Sequence, residues 1–229
     1  MLPQLTRFQD KALDLLFPRR CVGCGREGVL ICESCNQLLP RILPPICSRC
    51  GRPQFKDVIC PECVNWKATI AGFRAPFRFE DVIREAIHQL NYNNLRILAK
   101  PLAELLYDYI KSNSIQGDVL VPVPLHTKKL RQRGYNQSLL LARHLGEAVI
   151  NGCLQRTRLA SPQAVTATLE ERRHNVSGAF SCRDRGVETK RILLIDDVCT
   201  SGATREACAE AFKAAGATSV WGITLAREI

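Results

Sequence analysis

The 229-residue chain carries a formal charge of +10 and is 46% hydrophobic, enough for one α/β domain with a buried core plus a small module. No run of 18 apolar residues occurs, so no membrane span is expected. The opening residues do not form a signal peptide, and in a reducing cytoplasm the twelve cysteines point to metal binding rather than disulfides.

Residues 1–20 place Leu5, Phe8, Ala12, Leu15 and Leu16 on one helical face, while Arg7, Asp10, Lys11 and Asp14 interrupt any apolar stretch. An amphipathic helix packed on the rest of the molecule is expected over 1–20; membrane contact is the alternative.

Residues 21–66 hold four Cys-x-x-Cys pairs: Cys21 and Cys24, Cys32 and Cys35, Cys47 and Cys50, Cys60 and Cys63. They form an internal repeat, since Cys-x-x-Cys-Gly-Arg at 21–26 returns at 47–52. A repeated unit is self-contained, which predicts sequential pairing: one ion on 21, 24, 32 and 35, the other on 47, 50, 60 and 63. The interleaved pairing of a cross-brace is the rival. Gly25 and Gly51 permit positive φ after each knuckle, letting backbone amides reach the sulfurs. Four thiolates close a tetrahedral site, so two structural Zn²⁺ ions are expected. The module either supports the domain behind it or contacts nucleic acid through Arg41, Arg49, Arg52 and Lys56. Residues 1–71 hold ten basic and six acidic side chains. Eight thiolates with two zinc ions bring the module near neutrality, so the positive excess belongs to residues 67–229.

Beyond residue 67, the aromatics and arginines of Ala71–Phe79 read as a hairpin, with core-facing residues or base-stacking aromatics as its two explanations. Helical patterns follow at about Asp81–Leu90 and Ile97–Lys111. A buried strand, Asp118–Pro124, leads into the basic cluster Lys128, Lys129, Arg131 and Arg133, on the side of an open α/β sheet where ligands bind. A helix is expected over Gln137–Val149. Arg156–Phe180, which includes Arg158, Arg172, Arg173 and His174, reads as an arm able to close over a ligand or as an exposed basic loop.

Ile192–Ile195 is an unalternating apolar run, as in a parallel strand buried on both faces. Asp196 and Asp197 follow where that strand should end. Thr200, Ser201, Gly202, Ala203 and Thr204 then form a small-residue loop opening a helix, Ala203–Ala215, ended by Gly216, before a last strand, Thr218–Leu225. A strand, such a loop and a helix N-terminus make an anion site. The two carboxylates suit hydroxyls on the same ligand, and a phosphate beside a diol is a sugar phosphate. Cys153, Cys182, Cys199 and Cys208 lack metal spacing and read as core or surface thiols.

The stretch Ile192–Thr204 resembles the ribose-phosphate signature of type I phosphoribosyltransferases. The resemblance implies a parallel sheet flanked by helices, with the loop on the 5-phosphate of phosphoribosyl pyrophosphate and Asp196 and Asp197 on the ribose hydroxyls. In an active enzyme pyrophosphate would leave the anomeric carbon, the acids would favour the developing positive charge, and Mg²⁺ would accompany the pyrophosphate. Other segments are similar to the ComF/GntX-like competence family. They are Leu-Phe-Pro-Arg-Arg-Cys before the double ribbon, Val-Pro-Val-Pro-Leu at 121–125, Arg133-Gly-Tyr-Asn-Gln137, and Arg172-x-x-Asn175 with Phe180. One departure is Asn91, where the family often has Lys before the aromatic.

The family resemblance implies a cytoplasmic protein of natural transformation that handles incoming single-stranded DNA, with the DNA-uptake helicase and recombination mediator proteins as partners. Phosphate or DNA contacts would fall to Lys128, Lys129, Arg131, Arg133, Arg158 and Arg172. The alternatives are an active phosphoribosyltransferase of nucleotide salvage and a zinc-ribbon scaffold linking helicase to recombination proteins. The expected division is a helix over 1–20, a double zinc ribbon over 21–66 and a phosphoribosyltransferase-like domain over 67–229.

Overall fold

The computed structural model describes residues 19–56, 58–66, 68–146, 148–157, 178–200 and 202–229. Residues 1–18 of the helix expected over 1–20, most of the Arg156–Phe180 arm, and Arg158, Arg172 and Ser201 lie outside them, while Arg19 and Arg20 are not helical.

The cysteine module folds twice in the same way. Antiparallel bridges close each knuckle, Arg20 with Glu27 and Ile46 with Pro53. The amides of Gly25 and Gly51 bond to the carbonyls of Cys21 and Cys47 at 2.8 and 2.9 Å. Both glycines have the positive φ that their position predicted, 75° and 67°. Each second pair sits on a short helix: Cys32 caps α1 (Glu33–Gln37) and Cys60 caps α2 (Pro61–Val64), where Pro61 occupies a first-turn position that needs no amide donor.

The main domain is a parallel sheet in the order β1/β2, β7, β6, β3, comprising β1 (Gly72–Arg74), β2 (Phe77–Arg78), β3 (Val119–Pro122), β6 (Arg191–Cys199) and β7 (Ser219–Arg227). A separate antiparallel pair joins β4 (Leu154–Arg156) to β5 (Phe180–Cys182). Helices α3 (Asp81–Tyr92), α4 (Ala99–Ser112) and α6 (Gln137–His144) cover one sheet face; α7 (Ala203–Ala214) covers the other. The short helix α5 (Thr127–Arg133) stands at the sheet's C-terminal edge and buries none of its residues. In β6, Leu193 and Ile195 join the first core while Ile192 and Leu194 join the second with Phe212 of α7. Burial on both faces is why those four positions show no alternation.

Three expectations are corrected. The segment 71–79 is not a hairpin. β1 and β2 both run parallel to β7 in one continuous register, Arg74 opposite Ile223 and Phe77 opposite Ala226. They are one edge strand broken around Pro76, which has no amide to donate. Nor does β6 end at the acids. It continues to Cys199, because Val198 and Cys199 still pair with Ala226 and Arg227. The helix expected over 137–149 is also shorter, ending at His144.

The cysteine module covers the β1–β2 edge. The Phe73 amide donates to the Arg49 carbonyl at 2.8 Å, Ile42 to Pro76 and Arg78 to Pro40, each also at 2.8 Å. An exposed sheet edge is thereby capped, and the second quartet is brought over the end of the sheet where β6 opens into α7.

Candidate ligand site

The two cysteine quartets are sequential, Cys21, Cys24, Cys32 and Cys35 in one and Cys47, Cys50, Cys60 and Cys63 in the other. In each, the sulfurs lie within 4.8 Å of one another. The Cys24–Cys32 and Cys50–Cys60 sulfurs are 3.6 and 3.7 Å apart. A tetrahedron with zinc–sulfur bonds of ~2.3 Å requires about 3.8 Å, so both groups fit zinc. Burial opposes ionisation of Cys21, but amides from Cys32, Cys24 and Gly23 outweigh it and hold the thiol down to about 6. Cys47 is likewise buried, and amides from Cys50, Cys60 and Arg49 bring it to about 6. Burial and neighbouring sulfurs push Cys35 up to about 12, so a full set of thiolates there calls for a cation among them.

Beyond the module, β6 carries its acids to opposite sides, as successive strand residues must. Asp196 accepts from Arg205 Nη2 at 2.9 Å and from Ser138 Oγ at 2.9 Å. Asp197 accepts from Asn91 Nδ2 at 2.6 Å and from the Val198 amide at 2.8 Å. Burial pushes Asp196 up to about 7, against the pull of Arg205 and with the neighbouring Asp197 charge. Asn91, the departure from the family pattern, is thus tied to Asp197.

The loop after β6 turns on Gly202, whose φ of 76° is left-handed and suits a residue without Cβ. Thr200 is exposed, Thr204 half-buried and Ala203 buried in the first turn of α7. The positive end of the helix dipole points at the loop. Glu206, in the same turn, accepts from the amides of Thr69 and Ile70 and fixes the linker from the module.

Several residues here were not singled out in the sequence. Arg205 and Arg227 are only 3% and 4% exposed, and their guanidinium carbons lie 5.0 and 5.7 Å from the Phe73 ring centre, on the order expected for cation–π contact. Gly222 leaves room for this arrangement: a Cβ there would meet the Phe73 ring at 2.7 Å. Arg205 also donates to the Val198 carbonyl and Arg227 to the Cys50 carbonyl. With Thr200, Gly202 and, from the second quartet's side, Trp66, they line a cavity of about 60 Å³. One signal was available for Arg205. A cation in a helix's first turn opposes the helix dipole, so it needs a compensating anion, here Asp196.

Lys128, Lys129 and Arg131 are exposed on α5, and Arg133 is half-buried against Tyr92. The Arg133–Gln137 segment positions α6. Gly134 ends α5 with φ 75°. The Tyr135 hydroxyl donates to the Leu90 carbonyl, and Asn136 caps α6 by accepting from Ser138 at 2.9 Å while donating to the Val123 carbonyl at 3.0 Å. This seats Ser138 on Asp196. Replacing Asn136 by Ala should cost about 1 kcal/mol in urea denaturation. An unchanged midpoint would rule out the cap as a stabilising feature.

Residues 12–64 match the family model for a double zinc ribbon domain. The chain is 28% identical over 205 residues to competence protein ComFC of Bacillus subtilis (strain 168), covering 86% of this chain and 84% of that protein. It is 26% identical to competence protein F of Haemophilus influenzae, covering 92% and 98%. It is 27% identical to DNA utilization protein YhgH of Escherichia coli (strain K12), covering 88% and 91%. Among solved structures it resembles glutamine phosphoribosylpyrophosphate amidotransferase from B. subtilis, at 23% identity and TM-score 0.36, over 55% of this chain and 26% of that one. These homologues bear out the resemblance to the ComF/GntX-like competence family drawn from the motifs.

Proposed function

We propose that the chain is a ComF-type competence protein. In this reading it handles incoming single-stranded DNA in the cytoplasm during natural transformation, on a phosphoribosyltransferase-like domain that binds phosphoribosyl pyrophosphate. Among the described residues no helix is long and apolar enough to cross a membrane. The names of the relatives, two competence proteins and a DNA utilization protein, support the process. The observation that carries the ligand is the gathering of Asp196, Asp197, Thr200, Gly202 and the α7 N-terminus at the sheet edge from which the basic helix α5 also projects. Ligands of open α/β sheets bind at that edge. The loop would take the 5-phosphate. Asp196 and Asp197 would take the ribose hydroxyls once Arg205, Ser138 and Asn91 yield or share them, and Mg²⁺ would accompany the pyrophosphate. Lys128, Lys129, Arg131, Arg133 and, from the arm, Arg158 and Arg172 would meet phosphates of ligand or DNA. The uptake helicase and recombination mediator proteins would be its protein partners.

Titration calorimetry with phosphoribosyl pyrophosphate and Mg²⁺ tests this, run with and without single-stranded DNA. The expected result is saturable binding that is lost in an Asp196→Asn/Asp197→Asn double variant, while DNA binding persists and weakens steeply with salt. Amides keep the shape of the two side chains but give up one acceptor oxygen each and the charge opposite Arg205, so a circular-dichroism melt checks that the double variant is still folded at the assay temperature. Equal binding by wild type and double variant would remove the acids from the site.

A further inference from the structure

We propose that the pocket between α3 and α5 receives an unpaired base of single-stranded DNA, stacked at the end of the column Phe79–His88–Tyr92–Arg133. This rests on the single-stranded DNA reading above and adds the subsite through which a base would be held.

Tyr92 closes α3 and is 67% exposed, so core packing does not account for it. It is one step in a column. The Phe79 and His88 rings stack at 6.0 Å and 20°, the His88 and Tyr92 rings meet at 5.5 Å and 45°, and the Arg133 guanidinium lies 4.8 Å from the Tyr92 ring centre. Aromatic rings and guanidinium planes are the surfaces on which unpaired bases stack. The column borders an open pocket of about 390 Å³, within the range of small-ligand sites.

Its lining suits a nucleotide. Among the described residues Lys129 and Arg133 are the charged side chains that line it, with no carboxylate beside them, so an anion is favoured. Asn94 and Gln132 add amides that can donate to and accept from a base edge. Asn91 forms the inner wall. It is buried, its Nδ2 is committed to Asp197, and among the described residues its Oδ1 has no hydrogen-bond partner. A buried acceptor without a donor is costly, and an amino group on a bound base would satisfy it once the side chain turns toward the pocket. The same residue places the pocket next to the acids of β6. Stacking needs a base free of its own duplex neighbours, which selects single strands over double strands.

Fluorescence anisotropy with a labelled oligodeoxynucleotide, its abasic counterpart and its duplex tests the assignment, using the full chain loaded with zinc. Tyr92→Ala should weaken single-strand binding roughly ten- to a hundredfold and leave the salt dependence unchanged. Tyr92→Phe should bind as wild type. Lys129→Ala should instead lower the salt slope by about one. The abasic oligonucleotide should bind wild type and Tyr92→Ala equally weakly. If wild type binds single strands and Tyr92→Ala matches it, the stacking subsite is wrong and the DNA reading stands. If wild type binds no single strand at moderate salt, both fall. Preference for an oligoribonucleotide over the deoxy form would also overturn the assignment to DNA.

Discussion

Removing zinc should unfold the cysteine module and strip the cover from the β1–β2 edge. Structural zinc in small modules contributes on the order of 10–16 kcal/mol of apparent folding free energy per site, which few side-chain changes approach. A chromogenic chelator should release two equivalents from wild type. Because the quartets are sequential, a Cys47→Ser/Cys60→Ser variant should still release one. A cross-brace would behave differently, since the same pair of changes would disturb both sites. The two halves should also differ in reach. The second quartet is fastened to the sheet domain through Arg227 on the Cys50 carbonyl, the Phe73 amide on the Arg49 carbonyl, and Arg49 on the Trp66 carbonyl at 2.6 Å. Its loss should therefore lower the domain's melting temperature more than loss of the first. Equal melting temperatures would show that the module does not brace the domain.

Replacing Arg205 by Ala should destabilise the chain by about 3–5 kcal/mol, the cost of leaving a buried charge without its partner. The guanidinium is 3% exposed and sits 2.9 Å from an Asp196 carboxylate whose side chain is 16% exposed. Its loss also frees the Val198 carbonyl and empties one face of Phe73. Urea denaturation measures the change, and a loss under 1 kcal/mol would mean that Asp196 is served by other groups. The pair also sets a pH dependence. With its proton held to about 7 when folded and released near 4 when unfolded, Asp196 binds more protons in the native state over that window. Its contribution to stability is full below pH 4 and is lost as pH rises toward 7. Groups facing it are Arg205 and Cys208 of α7, Arg156 of β4 and Asp197. The difference in stability between wild type and Asp196→Asn should slope across pH 4–7. A flat difference curve would place the carboxyl's pKa at its ordinary value.

Much of this was readable in the chain. Cysteine ligation depends on spacing along a few residues, so Cys-x-x-Cys-Gly repeated at 21 and 47 determined both quartets and their positive-φ glycines. Doubly buried parallel strands have no polar face, so Ile192–Ile195 announced itself, and the loop and helix behind it followed from Gly202 and the small residues around it. The Ala71–Phe79 segment was misread because strand direction is not a local property. The same residues form a hairpin or one broken parallel strand depending on which neighbour they meet, and β7 lies almost 150 positions away. Asp196 and Asp197 seemed to stand past the strand for the same reason: pairing with Ala226 and Arg227 carries β6 beyond them. Only the tertiary structure brought Arg205, Ser138 and Asn91 to those acids, and Tyr92 to Arg133. Contacts between side chains far apart in sequence depend on how whole elements pack, and no residue pattern along the chain encodes that distance.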